Sequence, residues 1–176
     1  MSTRQPLFDA KIHRNLKRYL LQVSIATLAL FAALLAEEIM AGGAAARAVV
    51  VAAIASTAFV LFISPFSDSA DPRHAIGGHL IAVLVTGPLA VMAETSVGVN
   101  WIAGIPAIFA LYAALGVGVT MFLMAATNTE HPPAAGTALA IVAHGFSWDL
   151  VLFIGTAVLI LVAIQRASRS RLIDLY

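Results

Sequence analysis

Cysteine is absent from this chain of 176 residues, and charge is scarce. Without a thiol there is no disulfide framework and no thiolate metal site, and the redox compartment leaves no trace. Asp, Glu, Lys and Arg together make up 11% of the chain, against about 25% in a soluble domain. Apolar residues fill the gap: they reach 61%, and the mean hydropathy is +0.95. These departures exclude an ordinary soluble domain and point to a polytopic membrane protein. There is no G-x-S-x-G or other recognisable nucleophile setting, and no zinc-type ligand motif, so no catalytic group is assigned. We expect no enzyme activity, no cofactor, no resident metal and no nucleic-acid partner.

The few cations are placed unevenly. Arg4, Lys11, Arg14, Lys17 and Arg18 precede the first apolar run, and Arg166, Arg169 and Arg171 follow the last; only Arg47 and Arg73 lie between. By the positive-inside rule both termini face the cytoplasm, which requires an even number of crossings. A signal peptide at residues 1–36 is disfavoured, because the apolar run is long and no A-x-A site closes it. Residues 7–18 carry Phe8, Ile12 and Leu16 on one helical face among basic residues, as in a helix lying on the inner surface. The chain divides into this interfacial segment (1–18), a transmembrane unit (19–166) and a cytoplasmic tail (167–176).

Spans are expected near residues 19–36, 44–63, 75–93 (interrupted at Gly87–Pro88), 101–126 and 146–165. Arg47 can pair with Glu37 or Glu38. Residues 134–144 are too short for a full span and are read as a short fifth helix, which restores an even count. The expected fold is therefore an all-α polytopic membrane helix bundle of about six segments. An internal two-fold repeat is also suggested. At a displacement of 60 residues, Phe62, Pro72, Ala75 and Ile81 meet Phe122, Pro132, Ala135 and Ile141.

Two polar knots interrupt the apolar frame, at residues 64–79 and 128–139. Pro132-Pro133 cannot lie inside a regular helix but suits the first turn of one. The small residues Ala134, Ala135 and Gly136 leave that first turn open, and Pro72-Arg73-His74-Ala75 repeats the design with a fixed positive charge. Helix N-termini attract anions, so two such starts with Arg73 suggest a pocket for a small anion. Gly77 and Gly78 allow close helix approach, and Gly116 and Gly118 read as close-packing positions. His144 and Asp149 read as structural. A second reading is a cation or metal site built from Asp71, Glu130 and the histidines. A third is a scaffold or sensor that moves nothing.

The stretch EHPPAAGTALAIV (130–142) resembles the signature of the HPP family of integral membrane proteins, and SPFSDSADPRHAIGGHL (64–80) resembles that family's second motif. Asp71 and His74 stand where members tend to carry amides, and Ala134-Ala135-Gly136-Thr137 stands for Ala-Gly-Ala-Thr. The resemblance implies a transporter of an inner or organelle membrane, and plant and cyanobacterial relatives are associated with nitrite movement. The site expected on this basis places charge at Arg73 and backbone donors at His74-Ala75 and Ala134-Ala135. Ser64, Asn128, Thr129 and Thr137 are polar partners, Pro132, Pro133 and Gly136 shape the helix start, and His131 or His79 titrates or orients. The expected surroundings are the lipid bilayer of the cell's inner membrane and, from Gly/Ala-rich faces, further copies of the same chain.

Overall fold

A computed structural model describes residues 10–41 and 48–175, with the side chains of 10–14 and 34–41 excepted. The described residues form an all-helical bundle: α1 (Ala10–Ala41), α2 (Ala48–Ile63), α3 (Pro72–Ala93), the single turn α4 (Ser96–Gly98), α5 (Pro106–Thr127), α6 (Pro132–His144) and α7 (Trp148–Ser168). α1, α3, α5 and α7 are long and apolar enough to cross a membrane. α2 has 16 residues and α6 has 13, so α6 rises only about 20 Å, short of a hydrocarbon core of about 30 Å.

α6 can be short because it is enclosed. It packs on α3 most extensively, then on α2 and α5. Backbone that leaves the helical ladder at membrane depth is tolerated only where protein covers it. Here the cover comes from glycine. An added Cβ at Gly78 would lie 2.8 Å from His131 Cβ and 3.3 Å from Ala134 Cβ, and one at Gly77 would lie 2.7 Å from Thr129 Cγ2. Gly87, higher on α3, meets the Phe146 ring at 3.2 Å. α3 and α6 therefore run parallel, and α6 starts beside Gly78, about 9 Å along α3 from its own first residue at 1.5 Å per residue.

The outer helices follow from their buried stripes. α5 buries only Ala113, Gly116, Thr120 and Met124, one narrow face at helical spacing, and Tyr112 Oη donates to the Leu89 carbonyl of α3 at 2.7 Å. Leu111, Leu115 and Phe122 on its other face are exposed, as lipid contact demands. Gly116 is a close-packing position, with Leu89 Cδ1 3.0 Å from an added Cβ, whereas Gly118 has nothing within 4 Å. Its absence from the α3 contact corrects the expectation that both glycines pack. α7 buries large residues (Leu150, Phe153, Ile154, Leu161) against α1, α2 and α3.

Two expected boundaries are corrected. α3 passes through Pro88 without a break, since a transmembrane helix tolerates proline when local adjustment re-satisfies the freed backbone group. α5 begins at Pro106, not near residue 101, because residues 99–103 form a widened π-type turn that precedes the proline. The expected pairing of Arg47 with Glu37 or Glu38 and the face presented by residues 7–14 lie outside the described residues.

Both ends of the described chain meet at one end of the bundle. Gln22 on α1 donates to the Phe62 and Ile173 carbonyls and accepts from Ile173 N–H at 3.0 Å. Tyr19 Oη donates to the Leu175 carbonyl, and Phe66 N–H donates to Asp174. Arg73, the 64–71 turn and the 127–131 turn share that end. At the opposite end Glu94 lies against Gly145, and Trp101 and Trp148 are exposed, in the position of an interfacial aromatic belt. α1, α2, α3, α5, α6 and α7 thus alternate direction as six segments, with the short fifth among them.

Two outcomes are expected. Gly78→Val should overpack the α3–α6 contact and lower stability by about 1–3 kcal/mol or more, read as a fall in the unfolding midpoint in detergent, while Gly118→Ala should leave it unchanged. Because the chain has no native cysteine, single cysteines report sidedness cleanly. Asp68→Cys and Ser170→Cys should react with an impermeant maleimide from one face of a vesicle, and Ser96→Cys and Asp149→Cys from the other.

Candidate functional site

The two helix starts expected from sequence do meet, but some of their donors are engaged. Asp71 N-caps α3: its carboxylate accepts from Arg73 N–H at 2.9 Å, and Ala75 N–H donates to the Asp71 carbonyl at 3.0 Å. Pro132 and Pro133 have no N–H to offer, and Ala134 N–H donates to the His131 carbonyl at 2.9 Å. Of the backbone donors expected at His74-Ala75 and Ala134-Ala135, those of Ala75 and Ala134 are thus engaged: a carboxylate caps one start, and two imino acids plus a tight first turn narrow the other.

Arg73 is exposed at the mouth, where its guanidinium donates to the Thr127 carbonyl, the C-terminal end of α5, at 3.0 Å. That carbonyl lies at the negative pole of the helix. Asn128 caps α5 in the left-handed region at φ 54, a conformation Asn tolerates better than most residues. Thr129 is buried, its hydroxyl 2.9 Å from that of Thr127. His74 Nε2 stands 3.6 Å from Glu130, and its Nδ1 is buried without a partner.

Behind this mouth lies a sealed polar chain. His131, with no exposed surface, places Nδ1 2.8 Å from the Ser69 carbonyl and Nε2 3.2 Å from Thr57 Oγ1. His79 places Nε2 3.0 Å from the same Thr57 Oγ1 and Nδ1 2.9 Å from Thr137 Oγ1. The two rings are 5.3 Å apart between centroids, tilted by 56°. Three helices and two turns contribute: α2 brings Thr57, α3 brings His79, α6 brings Thr137, and the turns before α3 and α6 bring Ser69 and His131. Gly136 lets α6 close on Ala53 of α2 at 3.2 Å from an added Cβ, the approach that brings Thr57 within reach.

Of the expected residues, the fold gathers His79, His131 and Thr137 into this chain. Thr129, Pro132, Pro133 and Gly136 form its frame, and Arg73 and His74 stand at its mouth. Ser64 ends α2, where its carbonyl takes the Ser67 N–H and hydroxyl. Among the described residues no hydrogen bond links Ser64 or Asn128 to the chain. Among the same residues no three His, Asp or Glu side chains gather as a metal site. Sequence reading missed Thr57 and Ser69. The only signal for Thr57 was a hydroxyl in the middle of an apolar run; Ser69 contributes a carbonyl, which every residue has.

The profile of the HPP transmembrane region matches residues 12–171. The chain belongs to the HPP transmembrane family. It is also similar to a transmembrane protein of Dictyostelium discoideum, 29% identical over 137 residues, which cover 73% of this chain and 45% of that one. The HPP chain described here thus spans less than half the length of that relative. No solved structure matches it.

Thr57→Val should remove the partner shared by His79 and His131. Each buried polar atom left unpaired costs about 1–3 kcal/mol, so the unfolding midpoint should fall, and Thr57→Ser should restore it.

Proposed function

We propose that this HPP protein is a transporter of a small inorganic anion, with nitrite the substrate put first, in an inner membrane and with its termini cytoplasmic. The observation that carries the reading is the recessed start of α6: a buried histidine pair lies behind a mouth that bears Arg73 and His74. Ionisable side chains inside a membrane are expensive and mark ion or substrate paths. Described cations from residue 17 onward (Lys17, Arg18, Arg73, Arg166, Arg169, Arg171) belong to the end that carries Arg73, which the positive-inside rule makes cytoplasmic. That bias also raises the local concentration of an anion.

Recognition falls mainly to side chains, since the Arg73, Ala75 and Ala134 amides are engaged. Arg73 supplies the fixed charge, His74 a second donor, and Thr129 and His131 the threshold to the interior. An arriving anion competes with the Thr127 carbonyl for Arg73, a weak tie that suits binding followed by release. Passage requires the Gly77–Gly78 contact with Thr129 and His131 to open, so alternate packings of α3 against α6 are the natural gate. The exposed small and apolar faces of α5 suit self-association into a homo-oligomer.

The test is nitrite uptake by proteoliposomes. Loss of a hydrogen bond to a charged group is worth about 1.5–3 kcal/mol, so Arg73→Ala should lower uptake about tenfold or more. Arg73→Ala and His131→Ala proteins that both take up nitrite like the wild type would remove this site from the path.

A further inference from the structure

Away from the mouth, the same end of the bundle carries cations that the transport reading does not use. Lys17, Arg18, Arg166 and Arg171 are exposed, and among the described residues none of them is in an ion pair. Arg169 is half-buried, its guanidinium 5.3 Å from the centre of the Phe66 ring. Residues 15–33 and 150–175 contain a single acid, Asp174, and its carboxylate already accepts from Phe66 N–H at 3.2 Å. Cations gathered around one engaged acid repel one another. An anion among them would relieve that repulsion.

The fold brings these cations together. Gln22 exchanges hydrogen bonds with Ile173, which fixes the tail against α1. Arg18 precedes Gln22 by four residues and so shares its face, one turn nearer the start of the helix. Arg171 precedes Ile173 by two. Tyr19, next to Arg18, donates to the Leu175 carbonyl at 3.2 Å. Their depth is that of lipid headgroups. The stretches long and apolar enough to span run from Asn15 to Ala33 and from Trp148 to Arg171. Asn15 leaves helical geometry at φ −121 and ψ 16, so α1 kinks where its span begins. Lys17 and Arg18 lie about 3–5 Å inside that limit at 1.5 Å per residue, and Arg171 lies at the other limit. Below Lys17, at helical spacing, Leu21 and Leu28 are exposed, as contact with acyl chains requires. α1 is the least buried of the four long helices, so it has the most to gain from a ligand that ties it to α7.

We propose that Arg18 and Arg171, flanked by Lys17 and Arg166, bind the phosphate of an anionic phospholipid that bridges α1 to the end of α7. The arginine fork suits the task, because it takes two phosphate oxygens at once. A zwitterionic headgroup carries its own ammonium into the cluster and cancels much of the attraction. A headgroup of net negative charge gains about fivefold in affinity for each cation it meets. Soluble phosphate meets the same cations without the acyl chains that hold a lipid at this depth. The site is independent of what the protein moves, and it leaves Arg73 to the mouth.

The test uses the full chain in a neutral detergent. Dioleoylphosphatidylglycerol, dioleoylphosphatidylcholine or inorganic phosphate is added, and the unfolding midpoint and native mass spectrum are read. Phosphatidylglycerol should raise the midpoint and leave one lipid on the protein, and the other two should do neither. Arg18→Gln combined with Arg171→Gln should weaken phosphatidylglycerol binding about twenty-five-fold, fivefold for each charge. Arg18→Lys with Arg171→Lys should keep most of it, and Arg73→Gln should leave it unchanged. These positions are exposed, so the variants keep the helical fold, which circular dichroism checks. An equal response to the two lipids overturns the proposal and reduces the cations to topological anchors. Inorganic phosphate that matches phosphatidylglycerol overturns a lipid as the ligand. A loss on Arg73→Gln as large as that of the double variant overturns the site, because the attraction then belongs to the whole charged end.

Discussion

A helix that begins inside a membrane must find protein to cover its exposed end, because lipid offers its backbone no partner. The contact of Gly77 and Gly78 with Thr129, His131 and Ala134 supplies that cover, and the rest of the bundle is arranged around it. It sets how deep α6 starts. It brings the turn before α6 under the turn before α3, so that His131 reaches the Ser69 carbonyl. It also leaves room for α2 to close on α6 through Ala53 and Gly136, which completes the chain through Thr57. With side chains in place of those glycines, α6 would stand off, and the two histidines would face hydrocarbon without partners.

The two halves use one plan to different ends. Pro72 opens α3 and Pro132 opens α6, sixty positions apart, and each helix is preceded by a polar N-cap residue. α2 packs on α6 and α5 packs on α3, so each outer helix supports the other half's inner one. The N-caps differ in chemistry. Asp71 is exposed and holds the start of its own helix. His131 is sealed, and its ring bridges to the other half. A pair of similar turns has thereby become a charged mouth and an interior polar chain.

Much of this was legible in residue order. Hydropathy, the two clusters of cations and the Pro-Pro break were enough for six segments, a short fifth and an even count that brings the ends of the described chain together, because each of these follows from local chemistry and the bilayer's thickness. The pairing of the two polar knots was also readable from their shared pattern. What could not be read was occupancy. Whether an amide at a helix start is free depends on its neighbours, and here Asp71 takes up the donors of Arg73 and Ala75 and the tight turn that of Ala134. Pro88 looks like a break, yet α3 runs through it, because a proline inside a long membrane helix need not end it. Thr57 is one hydroxyl in an apolar helix, and only the three-dimensional meeting of α2, α3 and α6 makes it the hinge of the network. Gly118 and Gly116 look alike in sequence, yet only one faces a helix.

The tie between Gln22 and the strand-like tail at Ile173 joins a residue made early to one made 151 positions later. Tyr19 and Leu175 repeat that join. During synthesis α1 enters the bilayer long before its anchoring partner exists, so it must wait at the edge of the growing bundle. The tail acts as a clasp: it threads between the first helix and the turn after α2, so a chain interrupted short of Ile173 would keep the packing of α1 on α2 and α7 and lose only this late join.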